Sequence, residues 1–317
     1  MTNADSIEKR IPIWFDTDPG VDDAMAMALL FAIPEYDVKG VSAVAGNVEI
    51  DKTFENARNL VAFFGRKDVP VYKGAARPLF REPRTATFVH GENGLGNMTL
   101  PASDAPVEKK PAWDALYEAA KAAEGELVLV AVGPLTNVAL ALSKYGSLGK
   151  LLKEIVIMGG SASWGNASPA AEANIFCDAE AASTVFQSGV PITMCGLDMT
   201  LKTTMSPAEL DKMGELNPTA KFLRDAAQHG LSYSQAHGVD GMALHDPTAV
   251  LWPLYRGDIF AGEEAGVAVE TKGTITYGKT VTDLYSDKQF PFKNAFVLLE
   301  VDKEKLFEAV TDLLKRY

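Results

Sequence analysis

Apolar runs rich in β-branched residues alternate along the first two thirds of the chain with segments whose apolar residues recur at the helical period. This alternation is typical of βαβ units around a largely parallel sheet that is buried on both faces. Right-handed crossovers would place the strand ends on one edge of that sheet. The predicted strands are 11–16, 38–45, 127–132, 154–158 and 192–196, and the predicted helices are 22–32, 52–64, 112–123, 135–143 and 179–187, with Asp51 as a candidate N-cap of the second helix.

The pattern changes beyond Thr200, where helices are predicted at 207–213 and 219–233, followed by an antiparallel addition over 266–301 and a terminal helix at 303–315. No Pro/Ser-rich linker or low-complexity tract divides the 317 residues. We therefore predict a single domain over 1–317, of the α/β class, with an open, mostly parallel sheet flanked by helices.

Four carboxylates follow the first predicted strand within eight residues: Asp16, Asp18, Asp22 and Asp23. Holding four like charges close together is costly, and a hard divalent cation bound through oxygen is a common way to offset the repulsion. Asp22 and Asp23 also suit the positive end of a helix dipole, but that reading leaves Asp16 and Asp18 unexplained. The cluster therefore predicts a metal site at the end of the strand.

Polar or glycine-rich sequences also follow each of the remaining predicted strands. We call the segment that directly follows a strand its exit. Glycines are common at such places for structural reasons, so one exit alone is weak support for a site. Five exits together indicate one ligand-lined crevice at the carboxyl edge of the sheet. The exits are Gly46-Asn47, the segment 133–137, the segment 159–161 and the segment 196–198, in addition to the aspartate cluster.

Two later segments add candidate site residues. Asp246 precedes Pro247, which fits a helix cap with proline at the first helical position, but a capping carboxylate at a crevice can equally bind a metal. The loop 165–174 carries two amides and a carboxylate whose donors and acceptors suit several sugar hydroxyls, although a polar surface loop has the same composition. The aspartate cluster favours the functional reading of both segments.

Charge and composition narrow the possible partners and the compartment. A formal net charge of −12 and a pI near 4.9 argue against nucleic acid, because a phosphate backbone would be repelled. The longest apolar run, 24–33, is too short to cross a bilayer, and residues 1–10 lack an apolar signal region. No membrane partner is therefore expected. The spacing of Cys177 and Cys195 is not typical of a metal site or a redox pair, so a reduced, cytoplasmic setting is expected.

An ordered series of motifs carries a family resemblance through nearly the whole chain. The series consists of the eight-residue segment 16–23 with its four aspartates, Gly46-Asn47, the segment 132–137, Met158-Gly-Gly, Gly165-Asn166, Glu172-Ala-Asn174 and His245-Asp246. It resembles the inosine-uridine-preferring nucleoside hydrolases. The resemblance implies a nucleoside-hydrolase-like fold with a Rossmann-like core. It also implies calcium-dependent hydrolysis of the N-glycosidic bond of ribonucleosides to free base and ribose.

The resemblance also implies roles for individual residues. Asp18, Asp23, Asp246 and the backbone carbonyl of Val132 would hold Ca²⁺. Asp18 would in addition act as general base and His245 as general acid. The expected substrate-binding residues are Asp22, Asn47, His90, Met158, Asn166, Glu172, Asn174, Tyr233 and His237.

Two further expectations come from the resemblance. A homodimer or homotetramer is implied, with a ribonucleoside as the substrate. Many family members carry an aromatic residue where this chain has Ala173, so we expect one face of the ribose pocket to be more open.

Two alternatives stay open from sequence alone. A haloacid-dehalogenase-like phosphohydrolase also places its nucleophile in an Asp-x-Asp motif after an apolar strand, but Pro19 and Gly20 interrupt the pattern. An EF-hand is excluded, because its fifth and twelfth loop positions would be Gly20 and Met27. A non-catalytic nucleoside-binding protein would keep the sugar pocket without turnover.

Overall fold

The computed structural model describes residues 10–317. Residues 1–9, which supplied most of the expectation that no signal region is present, lie outside the described residues. The strands are β1 Ile11–Thr17, β2 Tyr36–Ala43, β3 Val71–Lys73, β4 Leu127–Ala131, β5 Leu152–Met158, β6 Ile192–Cys195, β7 Thr204–Met205, β8 Met242–Ala243, β9 Phe260–Val269, β10 Thr280–Asp283 and β11 Ala295–Val301.

Twelve α-helices are assigned within the described part of the chain, together with two short 3₁₀ turns. They are α1 Val21–Ala32, α2 Ile50–Phe63, α3 Thr87–His90, α4 Ala112–Ala122, α5 Thr136–Lys144, α6 Ala173–Cys177, α7 Ala179–Phe186, α8 Leu197–Thr200, α9 Pro207–Gly214, α10 Pro218–Ala236, α11 His245–Ile259 and α12 Lys303–Leu314. No helix of residues 10–317 is both long and apolar enough to cross a membrane.

Nine strands form one sheet in the order β10-β9-β11-β6-β5-β4-β1-β2-β3. Every pairing from β11 to β3 is parallel, while β9 runs antiparallel to both β10 and β11. β7 and β8 form a separate antiparallel pair. The predicted α/β class with an open, mostly parallel sheet is confirmed, as is the antiparallel addition near the end of the chain.

The sheet has an apolar core on each face, as a parallel sheet covered by helices requires. Ile13 and Phe15 of β1 face the core formed with α1, α10 and α11, whereas Trp14 faces the core formed with α4, α5 and α7. All three side chains are almost fully buried. Burying one such side chain contributes about 1.5–3 kcal/mol, so β1 is firmly fixed where its functional end begins.

Several predicted boundaries are wrong. β2 runs from Tyr36 to Ala43, two residues earlier than predicted at both ends. Helix α2 begins after Glu49, so Asp51 is not its N-cap; Asp51 lies in the first turn and pairs with Lys73. β9 begins at Phe260, six residues before the predicted antiparallel addition at 266. The capping interpretation of Asp246 is also wrong, because α11 begins at His245 and the carboxylate lies inside the first turn.

Candidate active site

The turn from β1 into α1 is built around the Asp23 carboxylate. This carboxylate accepts hydrogen bonds from the Thr17 hydroxyl, from the Gly20 N–H at 2.8 Å and from the Asp18 N–H at 3.2 Å. Charge at the first turn of a helix also interacts favourably with the helix dipole. The sequence after β1 therefore folds into a tight turn that presents Asp18, Asp22 and Asp23 at one edge of the sheet.

Asp246 joins this turn from a distant part of the chain. Helix α1 packs against α11, whose first turn carries Asp246. One carboxylate oxygen each from Asp22, Asp23 and Asp246 lies within 4.8 Å of the others. This separation is suited to three ligands of one cation and is unfavourable for three unpaired charges.

Asp18 lies beside this trio, between the exits of two neighbouring strands. The Asn47 N–H donates to Asp18 Oδ2 at 2.7 Å, and the Asn47 side chain donates to the Asp18 carbonyl at 3.1 Å. A Cβ on Gly46 would lie 2.1 Å from Asp18 Oδ2, and one on Gly133 would lie 2.5 Å from Oδ1. Only glycine leaves room for the carboxylate at these two exits.

Four buried carboxylate oxygens within residues 10–317 have no hydrogen-bond partner: Oδ1 of Asp16, Asp18, Asp22 and Asp246. Buried polar atoms are usually paired, so each of these oxygens needs an explanation. An all-oxygen set of buried carboxylates fits a hard divalent cation, with calcium the best match for a flexible ligand set. The residues present therefore fit the predicted metal.

The cluster strongly perturbs the acidities of its members. Burial, followed by the charge of Asp23, raises the pKa of Asp18 well above its usual range, and burial with the charges of Asp22, Asp23 and Asp18 does the same for Asp246. Burial and the Asp22 charge raise the pKa of Asp23 to about 6. Burial alone raises the pKa of Asp16 to about 7. Without a cation, the cluster would hold protons near neutral pH.

The predicted sugar loop folds around Glu172. Its carboxylate caps α6 by accepting the N–H groups of Asn174 at 2.9 Å and Ile175 at 3.1 Å, and it also accepts the Gly160 N–H at 3.0 Å. Burial raises its pKa, and these donors oppose the rise. Glu172 thus joins the exit of β5 to the start of α6.

Asn174 connects the sugar loop to the other strand exits. Its side-chain amide donates to the Val132 carbonyl at 2.7 Å and to the Met158 carbonyl at 3.1 Å. The Val132 carbonyl keeps a second lone pair for another partner. Asn166 is exposed, and its side-chain oxygen accepts the Ala173 N–H at 2.9 Å. The structure therefore brings four of these predicted residues together: Val132, Met158, Glu172 and Asn174.

Two predicted histidines adjoin the acidic cluster. His90 Nδ1 accepts the Val21 N–H at 3.2 Å and lies 3.8 Å from Asp22 Oδ1. Burial lowers the pKa of His90 to about 4, so its ring is neutral. His245 Nδ1 lies 2.9 Å from the Thr200 hydroxyl. Desolvation lowers the pKa of His245, and the charge of Asp22 opposes this effect.

Tyr233 and His237 lie at the end of α10, in an aromatic group with Phe88 of α3. The Tyr233 and His237 ring centroids are 4.1 Å apart, and those of Tyr233 and Phe88 are 5.2 Å apart. Because α3 also carries His90, the group adjoins the cluster through that helix. The sequence analysis did not predict the contact of Phe88 with Tyr233, although Phe88 lies two residues before His90 in the sequence. It also did not predict the contact of Thr200 with His245, for which the sequence around Thr200 gives no indication.

Comparisons with known proteins give the family. A family model described as inosine-uridine preferring nucleoside hydrolase matches residues 13–308. The non-specific ribonucleoside hydrolase RihC of Escherichia coli is 41% identical over 305 residues, covering 96% of this chain and 98% of that protein. Its namesake in Escherichia fergusonii is 41% identical over 307 residues, covering 97% and 99%.

Solved structures of nucleoside hydrolases are similar to this chain over most of its length. A plant nucleoside hydrolase superposes with a TM-score of 0.90 at 32% identity, covering 96% of this chain and 98% of its own. A purine-preferring ribonucleoside hydrolase from Gardnerella vaginalis gives a TM-score of 0.88 at 31% identity, covering 96% and 99%. The predicted enzyme class, an N-glycosyl hydrolase of the nucleosidase type, is confirmed, and a haloacid-dehalogenase-like phosphohydrolase is not favoured. The chain belongs to the inosine-uridine-preferring nucleoside hydrolase family.

Proposed function

We propose that this protein is a calcium-dependent hydrolase that splits the N-glycosidic bond of ribonucleosides into free base and ribose. The observation that carries the proposal is the convergence of Asp22, Asp23 and Asp246 within 4.8 Å, with unpaired buried oxygens on Asp18, Asp22 and Asp246. The names of the relatives, which are ribonucleoside hydrolases, support the substrate class.

Asp18, Asp23, Asp246 and the Val132 carbonyl would hold the calcium ion. Oxygen ligands from several segments suit Ca²⁺ better than Mg²⁺, which demands a more rigid geometry. When bound, the ion supplies positive charge that offsets the carboxylates and lowers the pKa of a neighbouring water molecule. Asp22 lies close enough to Asp23 and Asp246 to bind the ion as well. Its proposed role, binding a ribose hydroxyl beside the ion, comes from the family resemblance.

Asp18 is the proposed general base. The Asn47 N–H occupies Asp18 Oδ2, which leaves the unpaired Oδ1 to take a proton from water. Cleavage of the glycosidic bond develops positive charge on the ribosyl group, and the surrounding carboxylates stabilise that charge. One cluster would thus activate the water and stabilise the transition state.

The ribose would be held by the residues at the exits of β2 and β5. Asn47, Asn166, Glu172 and Asn174 offer amide and carboxylate groups for its hydroxyls, as does Asp22, and Met158 packs nearby. The side chains of the loop are already hydrogen-bonded, so they are oriented before substrate arrives: Asn166 accepts the Ala173 N–H, Glu172 accepts the Asn174 N–H, and the Asn174 amide donates to Met158 Sδ. Preorganisation of this kind reduces the entropy cost of binding.

His245 is the proposed general acid for the leaving base. Desolvation lowers its pKa, whereas the Asp22 charge favours the protonated ring. Negative groups beside the ring favour its protonated form, which is the form that can donate a proton to the leaving base. His90, Tyr233 and His237 would surround the base.

Release of ribose tests the function directly. Purified protein would be incubated with inosine, uridine, adenosine or cytidine, with and without a calcium chelator, and reducing sugar would be measured. We expect release from at least one nucleoside and loss of that release with chelator. No release from any of the four would favour a non-catalytic binding protein, and phosphate release from a phosphomonoester would favour a phosphohydrolase. The homodimer or homotetramer and the cytoplasmic location stay predictions.

A further inference from the structure

Asn137 is a buried residue to which the mechanism above gives no role. It lies in the first turn of α5 and is 1% exposed. Its amide nitrogen donates to Asp16 Oδ2 at 2.8 Å and to the Ala43 carbonyl at 3.2 Å. Its amide oxygen accepts the Ala75 N–H at 2.8 Å. One side chain therefore joins three other segments of the protein.

Those three segments are neighbouring strand exits. Asp16 lies near the end of β1, Ala43 is the last residue of β2, and Ala75 follows β3. Helix α5 itself follows β4, so the Asn137 amide links the carboxyl ends of four strands that are adjacent in the order β4-β1-β2-β3. Backbone hydrogen bonds also join neighbouring exits in pairs, such as the Val44 N–H to the Thr17 carbonyl at 3.0 Å, but the Asn137 side chain is in contact with all of them.

The spacing of these exits bears on the position of the Asp18 carboxylate. Asp18 lies between Gly46, beyond β2, and Gly133, beyond β4, with no room for a Cβ at either position. The Val132 N–H donates to the Asp16 carbonyl at 2.8 Å, which fixes the Val132 peptide to the same strand end. A shift of one exit relative to another would therefore change the separation between the Asp18 carboxylate and the Val132 carbonyl, because the two glycine positions confine the carboxylate and the hydrogen bond to Asp16 holds the Val132 peptide.

We propose that Asn137 is a positioning residue that sets the separation of the Asp18 carboxylate from the Val132 carbonyl, and through it the affinity for Ca²⁺ and the rate of the chemical step. The inference rests on the proposed function. Asn137 contacts neither substrate nor cation in this account. It acts through the strand exits, much as the groups that orient metal ligands do in other sites.

The test compares Asn137→Ala with Asn59→Ala. Asn59 is the matched control, because it is also a buried asparagine, 8% exposed, whose side chain accepts a backbone N–H, that of Ser103 at 2.8 Å, away from the strand exits. Calorimetric titration of Ca²⁺ into chelator-treated protein and inosine kinetics would be measured for both variants. We expect Asn137→Ala to weaken Ca²⁺ binding and lower kcat by about 10- to 100-fold, with Asn59→Ala within about twofold of wild type.

Gly74→Ala provides a second variant if Asn137→Ala does not fold. A Cβ at this position would lie 2.2 Å from Asn137 Oδ1 and 2.4 Å from the Ala43 carbonyl oxygen, so it displaces the amide without deleting it. The same direction of change in Ca²⁺ affinity is expected.

The outcomes separate this inference from the function on which it rests. Wild-type protein that binds no Ca²⁺ and cleaves no inosine refutes the proposed function together with the inference. Active wild type, with folded Asn137→Ala binding Ca²⁺ as tightly as Asn59→Ala, refutes the role of Asn137 alone. If Asn137→Ala does not fold, the same result for Gly74→Ala refutes it.

Discussion

The carboxyl end of the parallel sheet holds buried carboxylates with unpaired oxygens, whereas the buried carboxylate at the amino end is fully hydrogen-bonded. At the carboxyl end, Asp18, Asp22 and Asp246 each leave a buried oxygen without a partner. At the amino end, Glu154 at the start of β5 accepts the Thr193 hydroxyl at 2.6 Å and the Trp252 indole N–H at 2.9 Å, and it pairs with Arg256. The carboxylates at the carboxyl end therefore each lack a hydrogen-bond partner for one oxygen, whereas Glu154 has a partner for each of its oxygens.

A sizeable cavity lies away from the acidic cluster. A cavity of about 790 Å³ lies at the amino end, lined by Glu154, Lys153, Arg256 and Lys293 among others. Its buried carboxylate is already fully engaged by donors, which is what a structural role requires. Perturbed acids with unmet hydrogen bonds lie at the opposite end, where ligands of open α/β sheets bind. In this molecule the unpaired carboxylate oxygens, and not this cavity, mark the candidate site.

The largest effect is expected from Asp18→Asn. The substitution keeps size and an oxygen ligand but removes the proposed base, so kcat on inosine should fall by about 10²- to 10⁴-fold. Steady-state kinetics at saturating Ca²⁺ measures this. Near-normal turnover would remove Asp18 from its proposed role and weaken the contrast between the two ends.

His245→Ala should have the next largest effect, and one that depends on substrate. Loss of the proposed acid should slow cleavage of inosine by about 100-fold, whereas an activated nitrophenyl riboside needs no protonation and should be cleaved at a rate much closer to normal. Parallel kinetics on the two substrates is the measurement. Equal losses on both would contradict the general-acid assignment.

The metal-free protein should lose stability as pH rises from about 4 to about 7. The pKa of Asp16 is raised to about 7 and that of Asp23 to about 6, from a usual value of 3.8, so these groups hold more protons in the folded state than in the unfolded state over this range. The two buried histidines of the site, whose pKa values are lowered, oppose this effect, but Asp18 and Asp246, whose pKa values are raised well above the usual range, add to it. The free energy of unfolding then falls by about 1.4 kcal/mol per pH unit for each extra proton bound.

Excess Ca²⁺ should flatten this slope, because the ligands are ionised when the cation is held. Urea denaturation at pH 5, 6 and 7, with chelator or with Ca²⁺, measures both slopes. Identical slopes under the two conditions would contradict a cation at the acidic cluster.

The smallest effect on activity is expected at the amino end. Glu154→Ala should leave kcat within about twofold, since the residue lies far from the reacting atoms, yet it should cost about 1–3 kcal/mol by leaving the Trp252 N–H unpaired. Asp246→Asn should do the reverse, with little or no loss of stability in the metal-free protein but a large loss of activity when Ca²⁺ is present. A fall in kcat for Glu154→Ala without loss of stability would break the distinction between the ends.

The central strands and the acidic cluster could be predicted because both are recognisable from short stretches of sequence. The apolar runs and the four aspartates after β1 need no tertiary information. β3 was missed because a three-residue strand is too short to show a period. The capping residue of α2 was placed two positions late, since Glu49 and Asp51 are both acidic residues near the helix start.

Other parts of the site depend on contacts that a sequence does not display. From the residues, a metal-binding role of Asp246 was one of two interpretations, and the family resemblance added that it shares an ion with Asp23. The contact itself requires α1 and α11 to pack together, which the sequence does not display. The links made by Asn137 involve the backbone of Ala43 and Ala75, whose residue types give no hint of them. Backbone partners of this kind become visible only in the folded protein.

Calorimetric titration of Ca²⁺ into chelator-treated wild-type protein and into Asp246→Asn tests the central claim most directly. The account predicts one site per chain in the wild type, with binding lost or greatly weakened in the variant, because Asp246 brings a distant carboxylate to Asp22 and Asp23. An absence of binding by the wild type, or equal binding by both proteins, would contradict it.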